Sequence, residues 1–182
     1  MAERQVIVFK LGESDEYCID IGQVREIVRV QGVTPLPGTP SFVEGIVNLR
    51  GVVVPVVDIR KIFTGGELST GDPSGDEALP RGPEKDTPRP MIVTTLGGEG
   101  GENVKDAGVL VSSVSEILRI GDGDIEEAPG AAEYISGVAK VGERLIVILD
   151  LRKVLGNEEN LGGSPEKEKK KETKSGKTKR ES

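Results

Sequence analysis

Val43-Glu-Gly-Ile-Val-Asn-Leu-Arg-Gly-Val-Val-Val-Pro-Val-Val-Asp-Ile-Arg-Lys-Ile62 reads as a β-hairpin running into a capped helical turn. Its arms, Val43 to Leu49 and Val52 to Val57, are rich in β-branched residues, whose stiff χ1 suits a pleated sheet. Asp58 stands where its side chain can cap a short helix, Ile59 to Phe63. The same passage returns 92 residues later as Ile135-Ser-Gly-Val-Ala-Lys-Val141, the strand Arg144 to Leu149, and Asp150 before Leu151-Arg-Lys-Val-Leu155. Upstream, Ile7-Val-Phe-Lys-Leu-Gly12 matches Ile92-Val-Thr-Thr-Leu-Gly97, and Val24-Arg-Glu-Ile-Val-Arg-Val30 matches Val114-Ser-Glu-Ile-Leu-Arg-Ile120. The offsets of the four blocks, 85, 90, 92 and 92, keep order and spacing, so the chain carries a duplicated fold.

Each copy reads the same way. A strand (Val6 to Leu11; Met91 to Leu96) leads to a second (Glu16 to Ile21; Ala107 to Val111). A helical turn follows (Gly22 to Glu26; Ser112 to Glu116), then a third strand (Ile27 to Gln31; Ile117 to Ile120), then the hairpin. Five short strands can curl into a small barrel and so lose their open edges. The expectation is mostly β: two tandem five-stranded barrels with short helical turns, over residues 1–63 and 91–159. Units this small are marginal alone, so the two should pack through an apolar seam.

Between them, Thr64 to Pro90 holds five glycines, five prolines and nine charges in 27 residues, which predicts a flexible linker, 64–90. A disordered Lys-rich tail is expected over 160–182: from Pro165 to Ser182 there are eight Lys/Arg against four Asp/Glu. The other 164 residues carry a net charge of −11, which disfavours nucleic acid and anionic lipid as partners. Apolar runs are far shorter than a bilayer span and the charged start lacks a secretory core, so a cytoplasmic protein without membrane insertion is expected.

With no histidine, no tryptophan and one cysteine, the chain excludes a His base, a Ser-His or Cys-His couple, a CxxC zinc site and disulfides. Asp58 and Asp150 recur before Ile/Leu-Arg-Lys, which makes them caps rather than catalytic carboxylates. Gly97-Gly-Glu-Gly-Gly-Glu102 lacks phosphate-loop spacing and reads as a hairpin loop. Cys18 sits mid-strand as a small hydrophobe, and three Phe with two Tyr give no stacking platform for single-stranded nucleic acid. No catalytic, cofactor or metal site is expected, and a duplicated β module of this kind is most simply a protein-binding scaffold.

Three stretches carry a resemblance: Gln5 to Gly12 with Tyr17 to Ile27, Thr34 to Gly51, and Val54 to Arg60. Together they resemble the CheW family of chemotaxis coupling proteins, over roughly residues 5–63 and 90–156. The resemblance implies SH3-like barrels and a non-enzymatic adaptor. Its partners would be the cytoplasmic tips of chemoreceptors and the regulatory domain of a CheA-type histidine kinase, with no cofactor. It also implies partner-facing positions: Val24, Glu26, Ile27, Gly45, Asn48, Arg50, Gly51, Val114 and Ile117. Among these, Arg50 breaks the repeat, since its counterpart is Gly142, whereas Glu26 recurs as Glu116 and so has a shared role at a helix end. Two other readings stay open: a coupler in a related receptor-kinase pathway outside chemotaxis, and a small-ligand site between the barrels.

Overall fold

The computed structural model describes residues 2–63, 87–96 and 105–155. Most of the expected linker, 64–86, and the whole of the expected tail, 160–182, lie outside the described residues, as does the 97–102 loop. The first copy supplies β1 (Glu3–Lys10), β2 (Glu16–Asp20), β3 (Glu26–Val30), β4 (Val43–Leu49), β5 (Val52–Val57) and helix α1 (Ile59–Phe63). The second supplies β6 (Arg89–Leu96), β7 (Lys105–Leu110), β8 (Ser113–Gly121), β9 (Ile125–Glu126), β10 (Ile135–Val141), β11 (Arg144–Leu149) and α2 (Leu151–Leu155).

The strands form two curled sheets, ordered β3-β6-β7-β5-β4 and β8-β1-β2-β11-β10-β9. Each sheet therefore mixes the copies, and the expected division into 1–63 and 91–159 is corrected: the copies exchange their first hairpins. β1 pairs along β8, and β6 pairs along β3, at equivalent places in the two sheets. β2 then joins β11 in parallel, as β7 joins β5. Neither copy could close its barrel without the other, which makes the duplication one folding unit.

Closure comes at the remaining edge. Thr34 bridges Ile46 in one sheet, and Glu126 pairs with Val138 at the equivalent position in the other. Gly45 permits the first closure. Its φ is +145°, and a Cβ there would lie 2.0 Å from the Thr34 carbonyl oxygen. The sixth strand, β9, is thus the counterpart of the Thr34 bridge, so both sheets are five-stranded barrels closed the same way.

Exchange gives the β1 and β6 strands two buried faces. Val6 and Val8 point into one barrel with Cys18, Ile120, Ala139 and Ile146. Met91 and Val93 point into the other with Val30, Val54, Val56 and Leu110. Their alternate neighbours Ile7, Phe9 and Ile92 meet Ile19, Val57, Val109, Leu149, Ile59 and Leu151 in a third core between the barrels. This is the expected apolar seam, and each large side chain fully buried there contributes about 1.5–3 kcal/mol. The barrel interiors solve one packing problem in two ways. Met91 covers Gly108 in one barrel, whereas Val6 and Cys18 stand at the matching repeat positions in the other. Burial pushes the Cys18 thiol up to about 12, so it behaves as the apolar filler expected.

Both aspartate caps form. Asp58 accepts from the Arg60 backbone N–H at 3.1 Å, and Asp150 accepts from that of Arg152 at 3.0 Å. The expected helical turn over Ser112–Glu116 is not there: β8 starts at Ser113. In the first copy a 3-10 turn (Ile21–Gln23) is capped by Asp20, which accepts from Gly22 N–H at 2.8 Å. Leu110 occupies the matching position in the second copy and cannot cap, so the chain passes straight into a strand.

Candidate partner-binding site

Arg50 and Gly51 form the two-residue turn of the β4–β5 hairpin, both with positive φ, +53° and +87°. Arg50 is the only non-glycine with positive φ among the described residues, and the left-handed conformation costs a non-glycine residue about 1–2 kcal/mol. Asn48 fastens the turn by accepting from the Gly51 N–H at 2.7 Å. The twin hairpin has Gly142, at φ +63°, in Arg50's place. A strained arginine where a glycine would fit freely points to a role for the side chain.

That side chain is 79% exposed and forks onto Glu26, with Nη2 to Oε2 at 2.9 Å and Nη1 to Oε1 at 3.4 Å. Glu26 opens β3 and lies beyond the 3-10 turn, which corrects its placement at a helix end. Its counterpart Glu116 also meets a hairpin arginine, Arg144, at 2.9 Å. The two arrangements differ in what else holds the arginine. Arg144, first residue of β11, is clamped by Glu16 as well, at 3.0 and 2.8 Å. Hydrogen bonding from Arg144 holds the Glu16 carboxyl below its ordinary range, against the opposing pull of partial burial. Arg144 is thus consumed internally by two carboxylates, while Arg50 meets one and turns the rest of its fork to solvent.

Apolar residues are bared at matching places on both barrels. Ile27 is 42% and Ile117 60% exposed, at repeat-equivalent positions. Ile27 pairs across β3–β6 with Ile92, and Ile117 across β1–β8 with Ile7. Cross-strand partners share a face, so each exposed isoleucine continues the seam core outward to solvent. Val53 and Leu145, again repeat-equivalent, are exposed near the start of β5 and β11.

Of the nine positions expected to face partners, Ile27, Asn48, Arg50, Gly51 and Ile117 are exposed. Glu26 is half-buried under Arg50. Val24 and Val114 are half-buried and pack against the seam core, and Gly45 is buried at the barrel closure. Sequence reading missed Arg144, Val53 and Leu145; matching the two hairpins position by position would have raised the last two.

Comparison with known proteins fits this geometry. Residues 5–159 match the model of the CheW-like domain. A chemotaxis protein CheW from Treponema pallidum (strain Nichols) is 33% identical over 162 residues, covering 85% of this chain and 84% of that one. One from Klebsiella aerogenes is 32% identical, covering 86% and 84%. Among solved structures, the scaffolding protein TtCheW from Thermoanaerobacter tengcongensis has a TM-score of 0.65 and 31% identity, covering 86% of this chain and 90% of that one. The match spans both barrels, and the chain belongs to the family of CheW-like domain proteins.

Proposed function

We propose that this protein is a non-enzymatic adaptor in chemotaxis signalling, joining the cytoplasmic tips of chemoreceptors to the regulatory domain of a CheA-type histidine kinase. The observation that carries the reading is Arg50: on a strained backbone, an exposed guanidinium held on one carboxylate, ready to engage an acid on a partner. Its flanks support it. Ile27, Val53, Ile117 and Leu145 give each barrel apolar contact surface beside a charged pair, the mix expected where a protein partner docks. A bridging role needs two partners held at once, and two pseudo-equivalent barrels in one rigidly interleaved unit supply two such surfaces. Among the described residues no helix is long and apolar enough to cross a membrane.

The test is capture on the immobilised protein from an extract of the source cells, followed by identification of what is retained. The adaptor reading expects a CheA-type kinase and chemoreceptors together, and expects Arg50→Ala to lower the yield of at least one. Retention of neither contradicts it.

A further inference from the structure

A groove of about 510 Å³ opens where β3, the start of β6 and the β7–β8 turn meet. Its wall holds Arg29, Arg60 and Arg89, Ser112 and Ser113, and aliphatic Ile27, and among the described residues no carboxylate lines it. This is an unusual wall for a chain of net charge −7. Asp58, just behind, is bound by Arg60 through Nε at 3.0 Å and Nη2 at 2.6 Å, so that pair is neutral. The charge facing the groove therefore comes from Arg29 and Arg89. Arg29 is exposed and makes no ion pair among the described residues. Arg89 has its Nε buried with no hydrogen-bond acceptor among the described residues, a state that costs stability and that an incoming acceptor would relieve.

The duplication supplies an internal control. Ile117, Arg119, Arg152 and Arg4 occupy the repeat positions of Ile27, Arg29, Arg60 and Arg89. On that side Arg4 already has an acid, Asp122, at 3.3 Å. Gln23, at the position of Ser113, reaches across to accept from the Leu151 N–H at 2.8 Å. The copies thus differ at one position of the set: Arg4 has an acid, whereas Arg89 makes no ion pair among the described residues.

We propose that this groove seats an aspartate or glutamate of a partner protein, with aliphatic residues beside it, and that Arg89 and Arg29 recognise the carboxylate. A guanidinium fork matches a planar carboxylate, and Ile27 gives the neighbouring aliphatic side chains a surface. Seating requires Arg89 to swing its fork into the groove, which frees the unpaired Nε–H. The proposal rests on the adaptor reading, in which such a segment would come from one of the coupled partners.

The test is NMR of arginine Nε–H signals in the intact protein, titrated with acetyl-Ile-Glu-Ile-amide, its Gln analogue, and inorganic phosphate. The expected result is movement of the Arg89 signal by the Glu peptide with a dissociation constant of about 1–10 mM. The Gln analogue should bind at least tenfold more weakly, and phosphate should bind more weakly than the Glu peptide. Arg29→Gln, a surface change, should weaken the Glu peptide several-fold at unchanged melting temperature, and Arg89→Gln should weaken it at least as much. Equal binding of both peptides, phosphate binding as tight as the Glu peptide, or an Arg89 signal that stays put each overturns the proposal. Because the probe is a synthetic peptide, this failure is distinct from failure of the adaptor reading, which would show as loss of kinase and receptors in the capture experiment.

Discussion

Replacing Arg50 by glycine separates what this residue does for the fold from what it does for a partner. The change removes the left-handed strain, worth about 1–2 kcal/mol. Against that stand the added freedom of glycine in the unfolded chain, about 0.4–1 kcal/mol, and the lost ion pair with Glu26. Since Arg50 is 79% exposed, that pair contributes only about 0.2–1 kcal/mol. The sum lies within about 1.5 kcal/mol of zero, a melting shift of a few degrees at most in a domain of this size. Arg50→Ala keeps the strain and loses the pair, so it should be destabilised by up to about 1 kcal/mol. Binding should behave otherwise: both variants should lose about tenfold in affinity for kinase or receptor, the usual scale for truncating an interfacial arginine. Differential scanning calorimetry reads the first quantity, and calorimetric titration with the purified kinase regulatory domain and a receptor-tip fragment reads the second. Unchanged affinity for both partners, or a loss that tracks unfolding, would refute the assignment.

Further outcomes follow from the barrels themselves. Gly45→Ala should cost several kcal/mol and visibly lower the melting temperature, because its Cβ would strike the Thr34 carbonyl that closes the barrel. Gly108→Ala should cost about 1–3 kcal/mol by overpacking against Met91, and Met91→Val should recover part of that loss in the double variant, seen as non-additive melting shifts. Burial pushes the Asp58 carboxyl up, but hydrogen bonding and charge from Arg60, with help from Arg89, outweigh it and leave the carboxyl below its ordinary 3.8. The folded state thus holds its charge more tightly than the unfolded state, so this stability is present above about pH 4 and is lost on acidification below it. Asp58→Asn should flatten that acid limb in a melting-versus-pH series. Cys18 should resist thiol reagents at neutral pH until the protein unfolds, as labelling with a chromogenic disulfide would show.

The hairpins β4–β5 and β10–β11, and the helices after them, were legible to the residue, because glycine turns and capping aspartates mark their ends locally. Which barrel each first hairpin enters was not. The unbroken apolar run Val6 to Phe9 signals burial of both faces but does not say whose strand lies alongside, and the answer depends on pairing with residues more than a hundred positions away. The missing helical turn at Ser112 had a visible cause, since Asp20 has no counterpart at Leu110, but repeat matching had carried the first copy's cap across. At the candidate site, Arg50 stood out as the break in the repeat. The difference between Arg50 and Arg144 was hidden, because Glu16 reaches Arg144 only through the exchanged hairpin.

The most direct test of the coupling role is reconstitution of control over the kinase. Receptor-bearing membranes and the CheA-type kinase from the same cells are combined with and without this protein, and kinase autophosphorylation is followed as a receptor stimulus is added. The adaptor account predicts that the stimulus changes the rate only when the protein is present, and that Arg50→Gly, folded and stable, restores little of that control. Stimulus-dependent kinase activity that is the same without the protein, or full control by the Arg50→Gly variant, would contradict it.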